Sequence, residues 1–192
     1  MNAKFTKQQY LVRKQILALL GAKIDIFDSN GEPVLFSQQK AFKLKEDIRL
    51  FSDDTMSKEL LTIQARSVID FSATYDVVDT ETGERVGSLR RKGMKSILKD
   101  EWVILDANES EIGFIKEDSA MMALLRRFLT NLIPQKFHVE VGGSNVALFK
   151  QDFNPFVGKL KLDFSPDTNN RLDRRLGLAA AVLLVAIEGQ QG

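Results

Sequence analysis

The chain has 192 residues, with 27 basic against 26 acidic side chains, one histidine and no cysteine. A single all-β domain accommodates that length, so residues 1–192 are expected to form one domain, undivided by any linker or low-complexity tract. Near-cancelling charge excludes the broad basic field of a nucleic-acid binder, and the lack of cysteine excludes disulfides and thiol chemistry, which fits most easily with a cytoplasmic setting.

Taken in chain order, Lys4, Lys7, Arg13 and Lys14 precede the apolar run "ILALLGA", the bare outline of a signal peptide. The run passes directly into an alternating pattern at Ala22 and so reads as the first strand. In "AKIDI", Ala22, Ile24 and Ile26 oppose Lys23 and Asp25; in "FKLKEDIRL", Phe42, Leu44, Ile48 and Leu50 share a face. "IDFSATYDV" sets Ile69, Phe71, Ala73, Tyr75 and Val77 against Asp70, Ser72, Thr74 and Asp76, and "FHVEV" and "LKLDF" repeat the period through Phe137, Val139, Val141 and Leu160, Leu162, Phe164. One apolar and one wet face per strand is the mark of antiparallel sheet.

A unit recurs along this pattern. "IDIFDSNGEPVLF", "YDVVDTETGERVGSL", "WVILDANESEIGFI" and "FHVEVGGSNVALF" are each a strand, a turn rich in Gly, Asn, Asp or Ser, and a returning strand that begins near Val34, Val86, Ile112 or Val146. Asn30-Gly31 and Gly142-Gly143 supply residues that tolerate positive φ in tight hairpins. A long meander of hairpins hides its edges by closing on itself. About ten to twelve strands of usual length fit in the chain, and a barrel of that size encloses more space than its own side chains fill.

Two helices are expected. "SAMMALLRRFLTNLIP", from Ser119 to Pro134, carries an amphipathic stripe through Met121, Leu124, Leu125, Phe128, Leu129 and Leu132, and is read as covering one end or flank of the barrel. "LGLAAAVLLVAIEG" follows Asp173, a good N-cap, and is apolar on every side yet too short to span a bilayer. A helix apolar all round belongs inside protein, so it is expected to fill the barrel. The fold class is therefore mainly β: a closed antiparallel barrel of about twelve strands around a central hydrophobic C-terminal helix, with one additional amphipathic helix.

The hairpin series, the stretch "GSLRRKGMKSILKDEWVILD" from Gly87 to Asp106 and the ending "DRRLGLAAAVLLVAIE" from Asp173 resemble the LURP-one-related proteins, which share the Tubby C-terminal-like fold with Tubby proteins and phospholipid scramblases. The resemblance runs from about Gln9 to Glu188 and is most specific in the basic stretch leading to Asp100, Glu101 and Trp102 and in the terminal helix. It implies a twelve-stranded barrel around a buried helix. Tubby proteins bind phosphoinositide head groups through basic side chains on the barrel, while scramblases are associated with lipid movement and calcium. Here the calcium-loop spacing D-x-[DN]-x-[DN]-G and a cysteine-rich palmitoylation segment are both missing, which puts scrambling in doubt.

The candidate ligand-binding residues are Arg85, Arg90, Arg91, Lys92, Lys95 and Lys99. Three adjacent basic residues before Gly93 present charge to a phosphate, with arginine offering paired donors, and clusters of this size read as anionic-lipid sites. The plainer reading, preferred on sequence alone, is a solvated face whose ion partners are Asp100, Glu101 and Asp106.

No catalytic residue, metal ligand or cofactor is expected. His138, the only histidine, alternates with Glu140 on the wet face of a strand, and one histidine makes no multi-histidine metal site. Nucleophile-elbow, Walker and dinucleotide motifs are missing, and "GGS" at Gly142 to Ser144 is a turn rather than an oxyanion loop. The carboxylate pairs Asp53/Asp54 and Glu109/Glu111 read as acidic turns. The expected function is a non-enzymatic Tubby-like binding module, cytoplasmic and peripheral to the membrane, recognising anionic phospholipid or phosphoinositide head groups. The alternative is a structural or protein-interaction module with a protein partner and no lipid ligand; scramblase-like lipid handling or a hydrolase ranks behind both.

Overall fold

The hairpin units of the sequence form one ring. The computed structural model describes residues 1–17, 21–39, 47–66, 73–92, 101–117, 135–152 and 157–187. Its twelve strands are β1 (Gln9–Leu17), β2 (Gly21–Asp28), β3 (Pro33–Gln39), β4 (Asp47–Phe51), β5 (Glu59–Ala65), β6 (Thr74–Asp79), β7 (Arg85–Arg91), β8 (Glu101–Leu105), β9 (Glu111–Glu117), β10 (Lys136–Val141), β11 (Ser144–Asp152) and β12 (Val157–Asp163). Each pairs antiparallel with its sequence neighbours, and β1 pairs with β12 to close the barrel. The helix α1 (Arg174–Ile187) follows the last strand.

The ring has two unlike ends. At the one holding the start of α1, the turns of β2–β3, β4–β5, β6–β7, β8–β9 and β10–β11 are short, and each of these five hairpins carries one register shift close to that end. A β-bulge sharpens the bend of its strand, so the five bulges each bend the wall near that end. Three of the turns share a device. Asp28, Asp79 and Asp106 each accept backbone amides two to four residues on, and Gly31 (φ 83), Gly83 (φ 70) and Glu109 (φ 67) then take left-handed backbone before the return strand. The recurring Asp seen in the sequence is thus the lock of each turn.

The inward faces of β2, β4, β6, β10 and β12 are those the alternation predicts, and β1 and β5, which no sequence pattern singled out, add to them. Val12, Ile24, Ile26, Ile48, Leu50, Leu61, Ile63, Tyr75, Val77, Phe137, Val139, Leu160 and Leu162 are all buried, and Val12 lies between Ile26 and Leu160 in register. They surround α1, whose described side chains from Leu176 to Ala186 are buried on all sides. The apolar run is therefore the filling of the barrel.

Both ends of α1 are tied to the wall by charge. Asp173 caps its start, accepting the Arg175 amide at 2.9 Å. The buried Arg175 guanidinium donates to Asp79 (2.7 Å), Glu84 (2.8 Å) and Asp173 (2.7 Å), while Arg174 donates to Asp167 (2.8 Å) and lies 4.8 Å over the Phe164 ring. Two arginines oppose the dipole at a helix N-terminus, but four carboxylates around them restore a negative surplus. Burial alone raises Asp79 and Asp167, yet hydrogen bonds from Arg175, Arg174 and nearby amides outweigh it and hold both carboxyls below their usual range. At the far end the inward-facing Lys14 donates Nζ to the carbonyls of Val185 (3.0 Å) and Ala186 (3.1 Å), the favourable sign for a helix C-terminus.

Three sequence expectations change or move out of view. "ILALLGA" is not one first strand: Ile16 and Leu17 end β1, Gly21 and Ala22 begin β2, and the true first strand starts at Gln9. Its period was masked because the inward series Tyr10, Val12, Lys14 ends in a lysine that the helix terminus neutralises. The amphipathic helix expected over 119–134 lies outside the described residues, as do Phe42, Leu44, Ile69 and Phe71.

Candidate functional site

β7 carries the described part of the basic cluster and distributes it instead of gathering it. Arg85 begins the strand and Arg91 ends it, six residues or about 20 Å apart at strand rise. Arg90 pairs across with Thr74 and Val103 on the outer face, whereas Arg91 has the inward parity, opposite the buried Trp102. Burial pushes the Tyr75 hydroxyl up, and the charge of Arg91 pulls it the other way.

Arg85, Arg90 and Lys92 are ion-paired. Arg85 Nη2 donates to Asp76 (2.9 Å), Glu109 (2.9 Å) and Ser88 Oγ (2.9 Å), and Arg66 donates to the same two carboxylates at 2.8 and 3.0 Å. Burial raises Asp76, but the hydrogen bonds of Arg66 and Ser88 prevail and hold it low; hydrogen bonds from Arg85 and Arg66 do the same for Glu109. Arg90 donates to Glu111, and Lys92 to Glu101 at 2.7 Å with its ammonium 4.8 Å over the Phe114 ring. Arg91 has interactions of its own. Lys95 and Lys99 lie outside the described residues.

A different basic surface stands three to five strands farther round the ring. Lys136 of β10 faces Lys150 of β11, and Lys150 faces Lys161 of β12. Phe137, Phe149 and Leu162 alternate with them into the core, so the three lysines point outward and are exposed. One step along β12, Lys159 faces Arg13 of β1. Asp152 relieves Lys161 at 2.8 Å and Asp25 binds Arg13 at 3.1 Å, while Lys136, Lys150 and Lys159 have no ion-pair partner among the described residues.

Charge is also sorted along the barrel axis. The five described turns, residues 164–173 and the N-terminal segment all meet at the start of α1, where Lys4 donates to Val34 and Ser52 and Asn2 to Glu81. These connections hold Glu32, Asp53, Asp54, Glu81, Glu84, Asp106, Glu109, Asp167 and Asp173 against Lys4, Lys7, Lys58 and Arg171, nine acidic to four basic. Arg174 and Arg175 stand at the same end, making six basic, and the other described residues hold 14 basic against 12 acidic.

The features weighed for chemistry have structural duties. Asp53 accepts from the amide and hydroxyl of Thr55 and from Ser52, a self-contained turn, and Glu109 and Glu111 answer different arginines. Gly142 (φ 56) and Gly143 (φ 75) make the β10–β11 turn, and His138 lies outward between Leu148 and Lys116. Among the described residues no group of three His, Cys, Asp or Glu is placed to hold a metal, and no helix is long and apolar enough to cross a membrane.

This barrel is similar to a solved one: an X-ray structure of a protein from Arabidopsis thaliana superposes with a TM-score of 0.54 at 12% identity, over 97% of this chain and 96% of that one. At such identity the likeness establishes the fold alone. No curated protein matches the sequence. The LURP-one-related family matches residues 8–185, nearly the span over which the sequence resembled it. The chain, barrel and buried helix together, belongs to the LURP-one-related family.

Proposed function

We propose that this protein is a non-enzymatic Tubby-like binding module that recognises anionic phospholipid head groups through basic side chains on the outside of its barrel, as a peripheral protein of a cytoplasmic membrane face. The interior is occupied by α1, so recognition falls to the outer surface. The observation that carries the reading is the axial sorting of charge among the described residues: nine acidic to six basic at the helix-start end, the buried Arg174 and Arg175 included, against 14 basic to 12 acidic in the rest. A molecule neutral overall but polar in this way turns one side toward an anionic surface and the other away, and each basic residue near such a surface contributes about 1 kcal/mol. Docking to a protein partner has less support, since among the described residues only Met1 and Met56 are large, apolar and exposed.

Flotation of the purified protein tests the reading, using phosphatidylcholine vesicles with and without phosphatidylserine or phosphoinositide, at low and near-physiological salt. Association with the anionic vesicles alone, weakened by salt, is expected. Failure to float with any anionic vesicle at either salt refutes it.

A further inference from the structure

Like charges directly opposite each other on neighbouring strands destabilise a sheet. Lys136–Lys150, Lys150–Lys161 and Lys159–Arg13 are three such pairs in one patch. Outward positions elsewhere on the wall are matched with opposite charge: Arg13 with Asp25, Arg66 and Arg85 with Asp76, Lys92 with Glu101. Apart from the Asp152–Lys161 pair, the lysine row does nothing for the fold that neutral residues would not do better.

We infer that the outer face of β10, β11 and β12 is the surface that lies on the bilayer, with Lys136, Lys150 and Lys161 as its contact row. This rests on the lipid-binding reading above and assigns it to a place that the β7 cluster does not occupy. Neighbouring strands are about 4.8 Å apart, so the row spans about 10 Å, and Lys159 adds a fourth ammonium beside it. On the half of this face away from the acidic end, Asp152 is the one carboxylate among those four lysines; Glu140 and Asp163 lie toward the other half, Asp163 turned to Ser165. The chemistry is that of a diffuse anionic layer. All four groups are lysines, compact point charges on flexible stems, without the planar fork by which arginine grips a single carboxylate or phosphate. Among the described residues the row carries no aromatic anchor of the kind that dominates protein interfaces, and strands on a barrel wall present a broad surface instead of a groove.

The variant K136Q/K150Q/K161Q removes the row without touching a buried side chain. It relieves two like-charge pairs and gives up one exposed ion pair, Lys161 with Asp152, so its thermal midpoint should stay close to that of the parent, and a loss of binding at an unchanged midpoint cannot be ascribed to unfolding. Parent, this variant and R90Q/R91Q/K92Q are titrated with phosphatidylcholine vesicles containing phosphatidylserine, and in parallel with inorganic phosphate and a soluble polyglutamate. Each lysine is worth about fivefold in partition, so the row variant should bind these vesicles roughly 100-fold more weakly while the β7 variant stays within a few-fold of the parent. Equal flotation of parent and row variant, or a loss confined to the β7 variant, overturns the assignment and leaves lipid binding standing. A parent that binds polyglutamate or free phosphate but not vesicles overturns both.

Discussion

The packing of α1 against Phe164 makes a prediction whose sign is opposite to the usual one. On an open helix, replacing an interior glycine by alanine stabilises by about 1 kcal/mol. At Gly177 an added Cβ would stand 2.5 Å from Phe164 Cε1 and 2.8 Å from its Cζ. Carbon atoms rest about 3.5–4.0 Å apart, so helix and ring would have to separate by about 1 Å. The ring has nowhere to go: it is fully buried, edge-on to Tyr10 (6.1 Å) and Phe149 (5.7 Å), with the Arg174 guanidinium 4.8 Å over its face. Overpacking of this kind costs about 1–3 kcal/mol, and with three sides fixed the upper half of that range applies. Set against the propensity gain, G177A should lose about 1–2 kcal/mol, a fall of roughly 3–6 °C in Tm at this chain length. Urea unfolding gives the value directly, and combining G177A with F164L should recover at least about 1 kcal/mol of the loss as coupling. A G177A protein as stable as the parent would show that the helix does not rest on that ring.

Three further outcomes are expected. Burial lowers the pKa of Lys14, so between that value and the ordinary lysine pKa near 10.4 the unfolded chain holds a proton the folded chain does not; stability contributed by Lys14 therefore rises with pH, and the difference between parent and K14M should move in the parent's favour from pH 7 to pH 10, parallel curves being the refuting result. Asp79 and Asp167 are held low, so their stabilisation is complete above the unfolded pKa near 3.9 and is lost as pH falls through the folded values; D167N, which strands the buried Arg174, should cost about 3–5 kcal/mol at pH 7 and show a shallower acid transition by circular dichroism. Ser37 is fully buried with a hydroxyl that has no partner among the described residues, so S37A should gain about 1 kcal/mol in urea unfolding, and any loss would mean that the hydroxyl is bonded.

The sequence revealed the ring and its filling because both rest on periodicity. Ala22, Ile24, Ile26 and Phe137, Val139, Val141 alternate as strands must when one side is dry, and the run ending at Ile187 has no side on which to be wet. β1 was missed where the period meets a charge: Lys14 faces inward, and only the carbonyls of Val185 and Ala186, some 170 residues later, make that tolerable. The basic surfaces show the same limit. Arg90, Arg91 and Lys92 stand together in the sequence and so draw notice, but on a strand adjacent residues point to opposite sides, and Arg90 and Lys92 meet carboxylates. Lys136, Lys150 and Lys161 stand far apart in "QKFHV", "LFKQD" and "KLKLD"; only the registers of β10, β11 and β12 bring them side by side. Pairing register is a tertiary fact, set by the whole barrel, and no local pattern encodes it.

The place of α1 after every strand has a consequence for how the molecule is made. β1 joins β12 across a loop of about 150 residues, and the inward faces of all twelve strands have nothing to rest on until Arg174–Ile187 arrives. A growing chain therefore emerges as a train of hairpins with one greasy side and two open edges, and the barrel cannot close until β12 reaches β1. Folding is deferred to one late, concerted step, slow because its decisive contacts are distant in sequence, and during the wait the nascent protein is exposed to aggregation and is a natural client for chaperones.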